Sequence, residues 1–238
     1  MTDTQPHGDP FSSADVDSAL ARGVVTFMGL ELLVAPGALV PRPETEILGR
    51  EALGRVAEAA KSGVPLVIDM CCGAGNLACA IAGTVREAQV WCSDLTDGCV
   101  AVAKANIARH RLGDRVKIVQ GDLFAPLATA GLEGQVDVVV CNPPYISTGR
   151  LGKERAELLD REPREAFDGG PYGLSIHQRV MRDALAFLKP GGWLLMEFGV
   201  GQDRQLRALF ARSARYSRLG FALDGQGQPR VVTACREG

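Results

Sequence analysis

From residue 64 onward the chain alternates short apolar runs with stretches of helical periodicity, and this order admits few folds. Apolar runs fall at Pro65–Cys71, Gln89–Asp94, Val116–Gln120, Val136–Asn142 and Trp193–Phe198. Helical patterns separate most of them, from Leu77–Ile81 onward, over Asp97–Arg111 and over Ile176–Leu188, with Gln202–Ser213 after the last. The run Val136-Asp-Val-Val-Val-Cys141 is almost wholly apolar, which indicates a strand buried on both faces, as in a parallel sheet. Parallel strands joined through helices specify a doubly wound α/β domain. The ending differs, because Tyr216–Leu223 and Arg230–Cys235 are separated only by Asp224-Gly-Gln-Gly-Gln-Pro229. That linker is too short for a crossover helix, so these two strands are expected to pair antiparallel as a C-terminal hairpin.

Upstream of this alternation, residues 1 to about 17 are polar and read as a loose tail. Two short apolar runs, Val24–Met28 and Leu30–Val34, flank Gly29 and predict a hairpin. Pro43 suits the first position of a helix, and Glu44 and Glu46 stand near its positive end. Leu48, Ala52, Val56 and Ala59 carry that helix to about Ala60. The expected organisation is a flexible tail over 1–23, a hairpin and helix over 24–62, and the α/β domain over 63–238.

Composition removes several classes. With 46% hydrophobic and 23% charged residues the chain is not intrinsically disordered. No apolar run approaches the roughly 18 residues of a membrane span, and no membrane association is expected. The start Met1-Thr-Asp-Thr-Gln-Pro-His-Gly-Asp-Pro10 has neither a cationic segment nor an apolar core, so no secretory signal is read and a cytoplasmic location is expected. A net charge of −2 gives no general affinity for nucleic acid. The seven cysteines include no C-x-x-C pair and the three histidines are scattered, so neither disulfides nor a metal site is expected.

In an open parallel sheet the ligand sits beyond the carboxyl ends of the strands, so chemistry is sought there. The first strand ends in Asp69-Met-Cys-Cys-Gly-Ala-Gly-Asn76, whose glycines allow close backbone approach to a ligand or simply a tight turn. The second ends in Asp94, which can bind both hydroxyls of a ribose or cap the next helix. The third ends in Gly121-Asp122-Leu123, suited to an exocyclic amine or to a turn. The fourth ends in Asn142-Pro143-Pro144-Tyr145. Two prolines fix its backbone and remove two donors, Asn142 adds an amide oxygen, and Tyr145 adds a flat ring. Such a set suits a planar NH2 group, with acceptors on its protons and the ring on its face.

The order Asp69, Gly73-x-Gly75, Asp94, Asp122 and Asn142-Pro-Pro-Tyr145 resembles class I S-adenosylmethionine-dependent methyltransferases. More narrowly, it resembles the protein-(glutamine-N5) methyltransferases that modify translation release factors. Phe27-Met-Gly-Leu-Glu31, Val40-Pro-Arg-Pro-Glu-Thr-Glu46, Glu162-Pro-Arg164, Asp168-Gly-Gly-Pro-Tyr-Gly-Leu174, Leu188-Lys-Pro-Gly-Gly-Trp-Leu-Leu195 and Arg230-Val-Val-Thr-Ala234 extend the likeness over residues 24–236. The resemblance implies a seven-stranded Rossmann-like sheet, and S-adenosylmethionine as cofactor with S-adenosylhomocysteine as product. It places Asp69, Cys71, Cys72, Gly73, Ala74 and Gly75 around the methionine part of the cofactor, Asp94 at the ribose, and Asp122 and Leu123 at the adenine. Asn142, Pro143, Pro144 and Tyr145 would hold the substrate amide, with Asn142 near the cofactor as well. Phe27 and the segment Arg42-Pro43-Glu44-Thr45-Glu46 would help close the pocket. Cys71 and Cys72 depart from the family, which more often has Gly and a small polar residue there. Cys71 lacks glycine's freedom, so the turn is expected to differ slightly.

Methyl transfer from a sulfonium needs no protein nucleophile, so alignment and electrostatics carry the chemistry. The Asn142 oxygen and Pro143 carbonyl would grip both N–H groups of a carboxamide, and Tyr145 would add a cation–π contribution. Asn142, Pro143 and Tyr145 are thus the expected catalytic residues. The expected acceptor is a glutamine of a release factor or ribosomal protein. A small-molecule acceptor is the alternative, and a flipped adenine is a further one that the pI near 6.0 disfavours. The arginines at 204, 207, 212, 215 and 218 read as a solvated face. The family's N-terminal helical domain, which helps receive the protein substrate, finds no counterpart in the residues before the hairpin.

Overall fold

A computed structural model describes residues 12–154 and 156–238. The chain runs α1 (Ser13–Arg22), β1 (Val24–Phe27), β2 (Leu30–Leu33), α2 (Thr45–Ala60), β3 (Leu66–Met70), α3 (Asn76–Thr84), β4 (Gln89–Asp94), α4 (Asp97–Arg109), β5 (Val116–Gln120) and β6 (Val136–Cys141). It continues α5 (Thr148–Glu154), α6 (Ala156–Leu159), α7 (Ser175–Phe187), β7 (Leu188–Glu197), α8 (Asp203–Ser213), β8 (Tyr216–Leu223) and β9 (Pro229–Arg236).

β3 to β9 form one sheet in the order β5-β4-β3-β6-β7-β9-β8. β3 to β7 are parallel, and β9 pairs antiparallel with both β7 and β8. The doubly wound α/β sheet and its antiparallel C-terminal hairpin are therefore as expected. Chain order reverses between β3 and β6, and a crevice opens at such a point because the flanking connections leave in opposite directions.

Every residue of β6 is buried, since helices cover both sides of the central strands. Alternation along the strands divides the core. Val67, Val138, Val140 and Leu195 face α2, α3 and α4, whereas Ile68, Val139, Leu194 and Met196 face α7 and α8. β7 starts at Leu188 rather than Trp193, because Leu188 pairs with Val136 ahead of a bulge.

Residues 13–22, expected within a loose tail, are helical. Ser12 and Asp15 form a capping box, and Gly23 at φ 70° ends the helix. Val16 and Ala19 bury against Val34, Val40, Leu151 and Phe167, so α1 packs onto the body of the protein. The tail expected over residues 1–11 lies outside the described residues. The hairpin β1–β2 forms as predicted, turning at Met28 and Gly29, both with positive φ. α2 begins at Thr45, two residues after Pro43.

Candidate active site

The carboxyl ends of β3, β4, β5 and β6 open on a cavity of about 320 Å³. Its wall includes Arg42, Cys71, Cys72, Gly73, Asp94, Asp122, Leu123, Asn142 and Pro144 from the residues singled out in the sequence. A second, small cavity of about 20 Å³ adjoins and is lined by Tyr145, Ile146, Phe167 and Glu197. Leu39, Arg42, Asn142 and Ala166 line both, so Asn142 stands where the two spaces meet.

The loop after β3 is shaped by left-handed backbone at Cys71 (φ 57°), Gly73 (φ 53°) and Gly75 (φ 74°). Cys71 thus adopts a conformation that glycine enters without steric cost. The Gly73 amide donates to Asp94 Oδ2 at 2.9 Å, and the Thr96 amide donates to Asp94 Oδ1 at 3.2 Å. Two backbone donors hold the carboxylate at the cavity wall, and each oxygen keeps a lone pair for a ligand hydroxyl. Asp94 is not the N-cap of α4, because Thr96 fills that role through Cys99 N.

Ala74 and Gly75 face away from the cavity. Ala74 packs with Ala38, Cys99 and Val102, and its carbonyl accepts from Asn106 Nδ2 at 2.9 Å. A Cβ on Gly75 would stand 3.1 Å from that of Ala103, so this glycine permits close packing of α4. Asp69 is fully buried behind the loop. Its Oδ2 accepts from the Ala78 amide at 3.0 Å, while Oδ1 has no hydrogen-bond partner. Burial raises its pKa to about 8, and the Asp94 charge pushes in the same direction.

Asp122 reaches the cavity from an exposed position and accepts from Arg179 Nη2 at 2.6 Å. Leu123 adopts φ 49°, and its carbonyl accepts from Ser93 Oγ at 3.1 Å. Asn142 Nδ2 donates to Thr45 Oγ1 at 3.0 Å, which leaves Oδ1 as the acceptor end of the amide. Pro143, expected to touch the substrate, is buried and is on neither cavity wall, whereas Pro144 is on the larger one.

Phe27, expected to close the pocket, lies instead in the core with Leu32, Leu48 and Leu77. The inward face of the β1–β2 hairpin carries it there, so the residue supports the wall from behind. Pro43 is likewise absent from both cavity walls. Arg42 does reach them, held by a buried ion pair in which Nη2 donates to Glu162 Oε2 at 2.6 Å. Glu162 Oε1 also accepts from the Val40 amide at 2.8 Å, so one carboxylate grips both ends of the segment 40–42.

Glu162 and Gln202 were not singled out as site residues, and Thr45 only as part of the segment expected to close the pocket. Glu162 stands in a quoted motif and Thr45 in another, but nothing in the sequence marks Gln202. Among the described residues no group of three His, Cys, Asp or Glu side chains is placed to hold a metal ion.

The donor set fits an adenosine-bearing cation. Asp94 and Asp122 provide acceptors along one edge, and Leu95, Leu123 and Ile176 provide apolar wall. The cavity volume lies in the range typical of small-ligand sites.

Residues 53–165 match the family model described as the methyltransferase small domain. Over 210 residues the chain is 38% identical to a release factor glutamine methyltransferase of Geobacter sulfurreducens, covering 88% of this chain and 70% of that protein. It is 40% identical over 197 residues to a 4-amino-L-phenylalanine/4-methylamino-L-phenylalanine methyltransferase of Streptomyces pristinaespiralis, covering 82% of this chain and 65% of that one. Among solved structures, the human methyltransferase 10 domain containing protein superposes with a TM-score of 0.65 at 18% identity, covering 94% of this chain and 97% of that one. That last likeness concerns the fold. The sheet order, the strand-end residues and the identity over most of both chains converge: the chain is an S-adenosylmethionine-dependent methyltransferase and belongs to the release factor glutamine methyltransferase family.

Proposed function

We propose that this protein methylates the side-chain amide nitrogen of a glutamine in a protein acceptor, a release factor or a ribosomal protein. The observation that carries this reading is the place of Asn142. It lines both cavities, and its Nδ2 is engaged by Thr45 Oγ1, which leaves Oδ1 as the acceptor end.

The cofactor supplies a methyl group already activated on a sulfonium. Cys71 to Gly73 and Asp94 would hold its methionine and ribose parts, and Asp122 and Leu123 its adenine. A carboxamide nitrogen is a poor nucleophile because its lone pair is delocalised into the carbonyl. Asn142 Oδ1 and the Pro143 carbonyl accept the two N–H groups and orient the nitrogen toward the donor cavity. As the nitrogen takes the methyl group positive charge builds on it and these two contacts strengthen, which lowers the barrier without a protein nucleophile; one N–H proton then leaves to water, giving the neutral N-methyl amide. The Tyr145 ring lines the small cavity and provides an electron-rich face for the same charge. The cavities are walled from solvent on one side by segment 40–42, which Glu162 fixes.

A second reading is favoured by the Streptomyces relative, whose named substrate is an aromatic amine. An arylamine nitrogen is also planar and bears N–H groups for Asn142 and Pro143. We also place the protein in the cytoplasm; its seven free thiols suit a reducing compartment. Incubation with methyl-labelled cofactor and, separately, a release factor, ribosomal proteins, nucleic acid and a small-metabolite extract tests the assignment. Label on a glutamine of a protein, lost when that glutamine is replaced, is the expected result. Label confined to the low-mass fraction would overturn it in favour of the arylamine reading.

A further inference from the structure

Three loops meet beside the Asn142–Tyr145 turn, and a single side chain joins them. Gln202, at the N-cap of α8, accepts from the Gly199 amide through Oε1 at 2.8 Å. Its Nε2 donates to the Tyr145 carbonyl at 2.9 Å and also reaches the Gly173 carbonyl at 3.4 Å. The end of β7, the loop before α7 and the turn after β6 are therefore tied through one amide.

The surrounding backbone is shaped to admit that amide. A Cβ on Gly173 would overlap the Tyr145 carbonyl oxygen and stand 2.8 Å from Gln202 Nε2. A Cβ on Gly199 would stand 3.0 Å from the Tyr145 ring and 3.2 Å from Gln202 Oε1. On the other side, a Cβ on Gly169 would lie 2.7 Å from the Pro144 carbonyl. Glycine at each place lets backbone close on the turn, and Gln202 supplies the polar contact that the crowded carbonyl of Tyr145 needs. The next residue is also held, because the Ile146 amide donates to Phe167 O at 2.9 Å and its carbonyl accepts from the Gly169 amide at 2.8 Å.

We infer that Gln202 is a positioning residue for methyl transfer, fixing the Tyr145 end of the Asn142–Tyr145 turn so that its acceptors and ring meet the substrate nitrogen. This rests on the role given to that turn above. The turn has no regular ladder of its own beyond Cys141, and proline removes two of its donors. Its rigidity must come from partners outside it. Gln202 is suited because one planar amide offers a donor and an acceptor at fixed separation; a carboxylate in its place would set an oxygen against the Tyr145 carbonyl.

The test uses the full chain with Gln202→Ala and Gln202→Glu. In Gln202→Ala, exchange of the Ile146 amide should accelerate about tenfold, and kcat should fall about tenfold with cofactor affinity kept within about twofold, the size expected for one lost hydrogen bond. Gln202→Glu is nearly isosteric. At pH 8 its carboxylate repels the Tyr145 carbonyl and kcat should fall similarly. Toward pH 4.5 the acid, whose proton the Tyr145 and Gly173 carbonyls favour, regains a donor, so kcat relative to wild type should rise, whereas the alanine variant shows no such recovery. Unchanged Ile146 exchange in Gln202→Ala would overturn the inference. So would equal losses in Gln202→Glu at both pH values, because a general packing defect has no pH signature. Faster Ile146 exchange beside a wild-type protein that leaves the glutamines of release factors and ribosomal proteins unmethylated would support the hold on the turn and refute the proposed acceptor.

Discussion

Thr45 Oγ1 accepts a hydrogen bond from Asn142 Nδ2 at 3.0 Å, linking the first turn of α2 to the end of β6 across 97 residues of chain. An asparagine amide rotates by half a turn with little change in shape, so without a partner its oxygen has no preferred direction. In this structure the Thr45 hydroxyl meets the nitrogen side, which leaves Oδ1 as the end that accepts from a substrate. Thr45→Val should therefore lower kcat about tenfold with little change in cofactor binding, and Thr45→Ser should retain most activity. Asn142→Ala should lower kcat about 100- to 1000-fold, the scale of removing an oriented electrostatic group. Steady-state kinetics beside calorimetric titration of the cofactor check both, and near-wild-type turnover in Asn142→Ala would remove the turn from the mechanism.

Arg42 and Glu162 are both buried, and each is the other's charge partner. Neutralising Glu162 removes the charged acceptor of Arg42 Nη2 in a low-dielectric setting. Glu162→Gln should destabilise the protein by about 3–5 kcal/mol, the range for a broken buried pair. Guanidinium unfolding measures it, and a loss below about 1 kcal/mol would show that segment 40–42 is held mainly by packing.

Asp69 gives a pH dependence whose sign follows from its pKa of about 8, raised from 3.8 by burial and by the Asp94 charge. The folded state keeps the proton that the unfolded state releases. Its contribution to stability is thus full below pH 3.8 and declines as pH rises through about 8. The cofactor-free protein should lose stability between pH 5 and 9, and Asp69→Asn should flatten that slope. A cation in the cavity favours the ionised carboxylate, so S-adenosylmethionine should gain affinity across the same range more than neutral-sulfur S-adenosylhomocysteine. Parallel profiles for the two ligands would place the Asp69 charge too far from the sulfur to matter.

Cys71 holds φ 57°, a region that costs a side-chain-bearing residue about 1–2 kcal/mol. Cys71→Gly relieves this but frees the unfolded chain, so the net gain should be about 0.5–1 kcal/mol with activity retained. Chemical denaturation reads the difference. A loss of stability would mean that the thiol's packing outweighs the strain.

Much of the sheet was legible because a buried parallel strand needs an apolar run and a helix needs its own period. Gln89–Asp94 and Val116–Gln120 were read with their observed bounds for that reason. α1 was obscured because its buried residues, Val16 and Ala19, are covered by Val34, Leu151 and Phe167, distant in sequence. α5 and α6, between the Asn142–Tyr145 turn and α7, carried no periodic signal that was read. Asp94 and Asn142 reach the cavity wall because strand ends are fixed points of the fold. Phe27 was assigned to the pocket, and the hairpin's inward face instead carries it into the core.

The sequence by itself determined the order of strands and helices, the antiparallel ending, and which residue types stand at each strand tip, since these depend on local period and chain direction. Only the tertiary structure decided which of those residues face the cavity and what holds them. Ala74 and Gly75 turn toward α4, Asp69 retreats behind the loop, and Asn142, Arg42 and Tyr145 are fixed by Thr45, Glu162 and Gln202. Those partners lie 97, 120 and 57 positions away, and no local pattern records a contact made only when separate loops close on one another.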